Sequence, residues 1–116
     1  MRIRLENTCP SPLVGDLYLD RLPLVLGRTN DCNIALPVTF ISRRHCQFFR
    51  RGDEVLVQDL ESLNGTFVNG CRVEVPTVIH HGDELRLGPL PFRVNFIADT
   101  ERRKAGPTSP FELSRR

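Results

Sequence analysis

The chain has 116 residues, enough for one domain with a real core and too few for two. Hydrophobic residues make up 40% and charged residues 26%, which is too apolar for a disordered chain. A net charge of +2 gives no global field that would draw nucleic acid or a membrane surface.

Period-two alternation, broken at short intervals by Gly, Pro, Asn and Asp, predicts strands over nearly the whole chain. Residues 2–7 alternate polar with apolar, followed by short runs at 16–19 and 24–26, the latter ending at Gly27. A polar loop leads to 33–36, and the runs 45–51 and 54–60 flank Gly52-Asp53, a two-residue hairpin turn. Two Asn-Gly pairs come next. Asn69-Gly70 lies between the strand-like runs 66–68 and 72–75 and predicts a hairpin, because both residues tolerate positive φ. Asn64-Gly65 sits instead in a loop of small polar residues, with Ser62 and Thr66 around it. Runs at 75–80, 84–87 and 90–97 complete the pattern, and no segment offers ten residues of helical periodicity free of Gly and Pro. Many short strands with this punctuation predict an all-β sandwich or barrel.

The composition changes after Ala98. Residues 99–116 hold Glu101-Arg102-Arg103-Lys104, Gly106-Pro107 and Ser109-Pro110, with Phe111 and Leu113 as the large apolar residues. Such a segment buries too little to order itself, so the expected organisation is one domain over 1–98 and a flexible tail or linker over 99–116.

Cys9, Cys32, Cys46 and Cys71 form no CxxC and match no zinc spacing, and His80-His81 lacks further ligands, so no metal or other cofactor is expected. Nothing resembles a signal peptide or a membrane span, and reduced thiols in a cytoplasmic protein are the expectation. Lys104 is the single lysine beside fifteen arginines. The guanidinium fork suits carboxylate and phosphate, although a GC-rich genome produces the same bias. Three loop segments carry polar groups able to bind an anion: Gly27-Arg28-Thr29-Asn30, Ile41-Ser42-Arg43-Arg44-His45 and Ser62-Leu63-Asn64-Gly65-Thr66. Loops of a sandwich cluster at its two ends. If these three share an end, Arg28, Arg43, Ser42 and Asn64 make a phosphate site without a helix N-terminus. Ser42 and His45 also fit a hydrolase dyad, but neither a Gly-x-Ser-x-Gly elbow nor a metalloprotease signature accompanies them. Arg43-Arg44 and Arg50-Arg51 lack the interleaved aromatics of a nucleic-acid surface, and Arg51-Gly52-Asp53, which spells an adhesion tripeptide, is accounted for by the hairpin turn.

Four of these motifs, in order, resemble the forkhead-associated (FHA) domain, a phosphothreonine-binding β-sandwich. They are Gly27-Arg28, Ser42-Arg43-Arg44-His45, Ser62-Leu63-Asn64-Gly65-Thr66 and Asn69-Gly70, and the stretch from Gly82 to Gly88 is similar to the family's closing strands. The resemblance implies two sheets with roughly eleven short strands in all and no enzymatic activity. It further implies that Arg28, Ser42 and Arg43 contact phosphate and that Asn64 holds the ligand main chain. His45 would brace the Ser42 loop, with Gly27, Ser62, Gly65, Thr66, Asn69 and Gly70 setting loop geometry. The implied partner is a phosphothreonine-containing protein or peptide, bound by a monomer downstream of a threonine kinase, with no nucleic acid or membrane involved. A phosphate-independent scaffold on the same fold is the alternative. Leu63 departs from the pattern, since several family members carry Thr or Ser there. The site is then weaker, or Leu63 is an apolar contact to the peptide.

Overall fold

The computed structural model describes residues 2–9 and 14–97. Both the domain boundary at 98/99 and the tail over 99–116 lie outside the described residues. The described residues form eleven strands: β1 (Arg2–Asn7), β2 (Leu17–Leu19), β3 (Leu24–Gly27), β4 (Ile34–Ala35), β5 (Cys46–Arg51), β6 (Glu54–Asp59), β7 (Thr66–Val68), β8 (Cys71–Arg72), β9 (Thr77–Ile79), β10 (Glu84–Leu87) and β11 (Leu90–Ile97). They form a six-stranded sheet in the order β2-β1-β11-β10-β7-β8 and a five-stranded sheet in the order β4-β3-β5-β6-β9.

Alternation in sequence becomes a one-sided burial pattern in space. Ile3 and Leu5 of β1, Leu85 and Leu87 of β10, and Phe92 and Val94 of β11 turn inward from one sheet. Leu24 and Leu26 of β3, Phe48 of β5, and Val55 and Val57 of β6 meet them from the other. Complete burial of Leu5, Leu26, Phe48 and Phe92 contributes about 1.5–3 kcal/mol for each side chain. Leu56 breaks the alternation: it is fully buried although it faces away from the core, between its cross-strand partners Phe49 and Val78.

The hairpins follow their turn residues. Gly52 has φ 62° and leads the two-residue connection between Arg51 and Glu54, while Asn69 (φ 50°) and Gly70 (φ 84°) together close β7 onto β8. Two predicted runs are shorter than expected. The run at 72–75 is a strand only through Arg72, because Val73 turns inward, 5% exposed, and donates its N–H to Thr66 O. The run at 33–36 pairs only over Ile34–Ala35, in parallel with β3, and Pro37, with no N–H, follows directly.

Strand direction puts the end of β3, the loops on either side of β4, the β6–β7 loop and the β10–β11 turn at one end of the sandwich. Gly88 N donates to Gly65 O across 2.8 Å, and Leu36 N to Gly27 O across 2.7 Å. The other end carries the paired residues Arg2 and Ile97.

Candidate functional site

Gly27 fixes how closely the first two loops approach. A Cβ there would lie 2.1 Å from the backbone oxygen of Arg43, so any side chain would push the 41–45 segment away. Because the backbones touch, Arg28 N donates to both Ser42 O (3.0 Å) and Arg43 O (3.1 Å), and Arg28 Nη1 donates to Ile41 O at 2.9 Å. Arg43 O also accepts from the Thr29 hydroxyl (3.2 Å) and the Cys32 thiol (3.1 Å). With its carbonyl held inward, Arg43 leaves its side chain exposed, whereas neighbouring Arg44 pairs with Asp31 at 3.2 Å.

His45 is fully buried between the second and third loops. Ser42 N–H donates to its Nδ1 at 3.2 Å, so the ring proton sits on Nε2, which donates to Gly65 O at 2.9 Å. The Ser42 hydroxyl oxygen accepts from Leu63 N at 2.9 Å, which leaves the hydroxyl proton free to point at a ligand. Leu63 itself is 84% exposed.

Asp59, at the end of β6, organises the third loop. It accepts from Ser62 N (3.0 Å), Ser62 Oγ (2.6 Å) and Thr66 Oγ1 (2.7 Å), and Ser62 Oγ in turn accepts from Gly65 N at 3.0 Å. Gly65 has φ 90°, and an added Cβ would meet the Phe67 ring at 2.8 Å. Asn64 donates its amide to Phe40 O at 2.7 Å, which holds the exposed side chain at the loop tip and leaves Oδ1 for a ligand N–H. Asn69 lies away from this cluster and ties the β7–β8 hairpin to β10, accepting from Glu84 N at 2.9 Å and donating to Asp83 at 3.1 Å. Gly70, beside it, has open space around it.

Arg28, Ser42, Arg43, Leu63 and Asn64 are thus brought to one end of the sandwich, over Gly27, His45, Ser62, Gly65 and Thr66. Asp59 was missed by the sequence reading. Its signal was the Asp-x-x-Ser spacing to Ser62, a side-chain turn of the kind Asp readily forms. Among the described residues, no group of His, Cys, Asp and Glu could hold a metal ion, and no helix is long and apolar enough to cross a membrane.

The profile of the FHA domain matches residues 24–88, from the start of β3 to the turn that touches Gly65. The chain belongs to the FHA domain family. It is 40% identical over 87 residues to an oxoglutarate dehydrogenase inhibitor of Corynebacterium jeikeium, covering 74% of this chain and 58% of that one. It is 38% identical over 96 residues to the glycogen accumulation regulator GarA of Mycolicibacterium smegmatis, covering 82% and 59%. The chain therefore spans about three-fifths of the length of these curated relatives. A solved FHA domain, studied for phosphothreonine-dependent interactions, superposes with a TM-score of 0.71 at 31% identity, over 84% of this chain and 99% of that one.

Two titrating groups tie the loops of this FHA domain to pH. Burial lowers the pKa of His45 below its ordinary 6.5, against the opposing pull of the Gly65 bond and of Asp59. Burial would raise Asp59, but the hydrogen bonds from Ser62 and Thr66 and the nearby His45 outweigh it and hold the carboxyl below 3.8. Both folded pKa values are depressed, so the unfolded chain binds more protons and stability falls with falling pH. The melting temperature of the free protein should decline as pH drops below about 6.5 toward the lower folded value of His45, and again below about 3.8. In His45→Gln the first decline should vanish and the second remain, a difference that calorimetric scans from pH 8 to 3 would resolve.

Proposed function

We propose that this protein is a phosphothreonine-dependent interaction module in Ser/Thr kinase signalling. It binds a phosphothreonine-containing protein or peptide through Arg28, Ser42, Arg43 and Asn64. The observation that carries the reading is the lacing of three loops into one surface. Arg28 is bonded to the carbonyls of residues 41–43, and the Ser42 hydroxyl is bonded to Leu63 N, so charged donor, hydroxyl and loop amide share a fixed frame. A phosphothreonine brings about −1.5 to −2 charges at neutral pH, and bonds to an ionised acceptor are roughly twice as strong as neutral ones. Arg28 gives one donor to Ile41 and keeps the rest of its fork for phosphate oxygens. Asn64 Oδ1 would take a ligand main-chain N–H and fix register. A strand-supported frame lowers the ordering cost on binding.

The module works as a monomer, needs no cofactor and catalyses nothing. Four free cysteines suit a reducing compartment, and we place it in the cytoplasm with a threonine kinase upstream. Calorimetric titration with a phosphothreonine peptide and its unphosphorylated twin tests the reading. Only the phosphorylated form should bind, and equal affinity for both would transfer the domain to the class of phosphate-independent scaffolds.

Leu63 offers a sharper measurement. Its amide is already bonded to Ser42, and its side chain stands in solvent. Leu63→Thr places a hydroxyl beside the phosphate, where a bond to a charged group is worth about 1.5–3 kcal/mol. The lost apolar contact offsets this fully only if the ligand buries Leu63 completely. The expected result is severalfold tighter binding in titrations against one phosphopeptide and its flank variants. Weaker binding would make Leu63 a specificity contact.

A further inference from the structure

Behind the Asn64 loop, on the outer face of the six-stranded sheet, two arginines close on one ring. Phe67 of β7 has Arg86 of β10 directly opposite on one side and Arg72 of β8 on the other. The guanidinium carbons lie 4.0 Å (Arg86) and 6.0 Å (Arg72) from the ring centroid, within the range of cation–π attraction. Both are anchored against the binding loops. Arg86 Nη1 donates to Gly88 O at 3.0 Å, and Gly88 N donates to Gly65 O. The Arg72 guanidinium carbon is 3.4 Å from the point a Cβ on Gly65 would occupy.

Among the described residues, these charges have no carboxylate partner. Arg2, Arg4, Arg44 and Arg51 each have a carboxylate within 4 Å, but among the described residues no ion pair includes Arg72 or Arg86. Glu84, the acidic residue on the same face of β10, stands opposite Arg93 in the sheet register. Two cations held no more than about 10 Å apart on one ring repel each other, and an anion between them relieves the repulsion.

We propose that Arg72 and Arg86, with Phe67 as their platform, form a second anion site that reads an acidic group elsewhere on the phosphothreonine ligand. The proposal rests on the binding mode above. Ser42 Oγ is joined to Leu63 N, Gly65 follows two residues later, and the Arg72 guanidinium carbon lies 3.4 Å from where a Gly65 Cβ would stand. Standard backbone dimensions limit that path to roughly 17 Å, which an extended peptide spans in about five residues. One ligand segment therefore reaches both sites. The Arg86 fork, fixed through Gly88, presents its remaining donors without first having to be ordered.

The experiment uses fluorescence anisotropy with a phosphothreonine peptide in an alanine background. A single Glu, or a single phosphoserine, is placed at each position up to five residues on either side. Wild type should bind the alanine peptide, and at one position on one side Glu should tighten binding about fivefold, an effect screened by salt. A larger gain from phosphoserine there would identify phosphate as the preferred second anion, and an equal or smaller gain a carboxylate. Arg72→Gln and Arg86→Gln should each lose most of that gain while binding the alanine peptide as wild type does. Arg72→Glu should prefer Lys over Glu at the same position, a reversal that loss of folding cannot mimic. If the alanine phosphopeptide fails to bind wild type, the binding mode itself is wrong. If it binds and no position responds to Glu, or the response survives both Gln variants, the second site is overturned.

Discussion

Arg28→Ala should remove measurable binding of a phosphothreonine peptide and leave a folded domain. The side chain is half-buried at the end of β3, with its backbone N–H held by Ser42 and Arg43 and one guanidinium nitrogen held by Ile41 O. Its remaining guanidinium donors make no hydrogen bond to the described residues, and its loop is bonded directly to the Ser42–Arg43 backbone. Truncating one partner of a desolvated, hydrogen-bonded charge pair costs about 2–5 kcal/mol, which is roughly thirtyfold to several thousandfold in affinity. The folded protein loses only the bond to Ile41 O, worth about 1 kcal/mol, so the melting temperature should fall by several degrees at most. Arg28→Lys keeps the charge and loses the fork, and should recover part of the affinity. Calorimetric titration paired with thermal scans checks both. Unchanged affinity in Arg28→Ala would remove this residue from the site.

His45→Ala should move stability and affinity together. The ring is fully buried and links Ser42 N to Gly65 O. Alanine leaves that donor and that acceptor unpaired in the interior, at about 1–3 kcal/mol each, and adds a cavity. The loss should amount to about 3–5 kcal/mol, a large share of the 5–15 kcal/mol that holds a typical domain together. For a domain of this size the expected drop in melting temperature exceeds about 10 °C. Affinity falls as well, because the 41–45 segment and the 62–66 loop are no longer held in a fixed relation. The contrast with Arg28→Ala is the informative part: one substitution acts on the ligand, the other on the frame. A melting temperature that does not move would show that His45 braces nothing.

Much of this architecture was legible because β-strands advertise themselves with a local code. Period-two alternation and the turns at Gly52-Asp53 and Asn69-Gly70 placed every strand to within a few residues. Misplaced ends have local physical causes, such as the inward turn of Val73 and the missing N–H of Pro37. Sheet partnership was not legible, because it is decided by contacts far apart in sequence. Pairing of β1 with β11 joins the two ends of the described chain, and no local pattern announces it. Nor does alternation explain Leu56, which is buried on the outer face through its neighbours Phe49 and Val78. Arg28, Ser42, Arg43 and Asn64 stand out in the sequence as polar loop residues, and the resemblance assigns their roles; the structure brings their loops to one end, whereas Asn69 and Gly70 sit at the start of β10 instead. Asp59 escaped because a carboxylate at the end of a strand reads as ordinary turn chemistry. Its role as a threefold acceptor emerges only when Ser62 and Thr66 are seen to fold back onto it.

The antiparallel register that sets Arg2 opposite Ile97 has a topological outcome. Arg2 and Ile97 therefore lie side by side at the end of the sandwich opposite the loops that hold Arg28, Ser42 and Asn64. A linker joined at Arg2 or Ile97 therefore starts from the far end of the sandwich and not from the loop face. The domain can be spliced into a host protein, or fused at either side, as a self-contained cartridge. Linker length then sets the effective concentration at which the cartridge meets a phosphorylated target on the same assembly, falling roughly as the −3/2 power of length once the span is reached. Recognition and reach are tuned by separate parts of the chain.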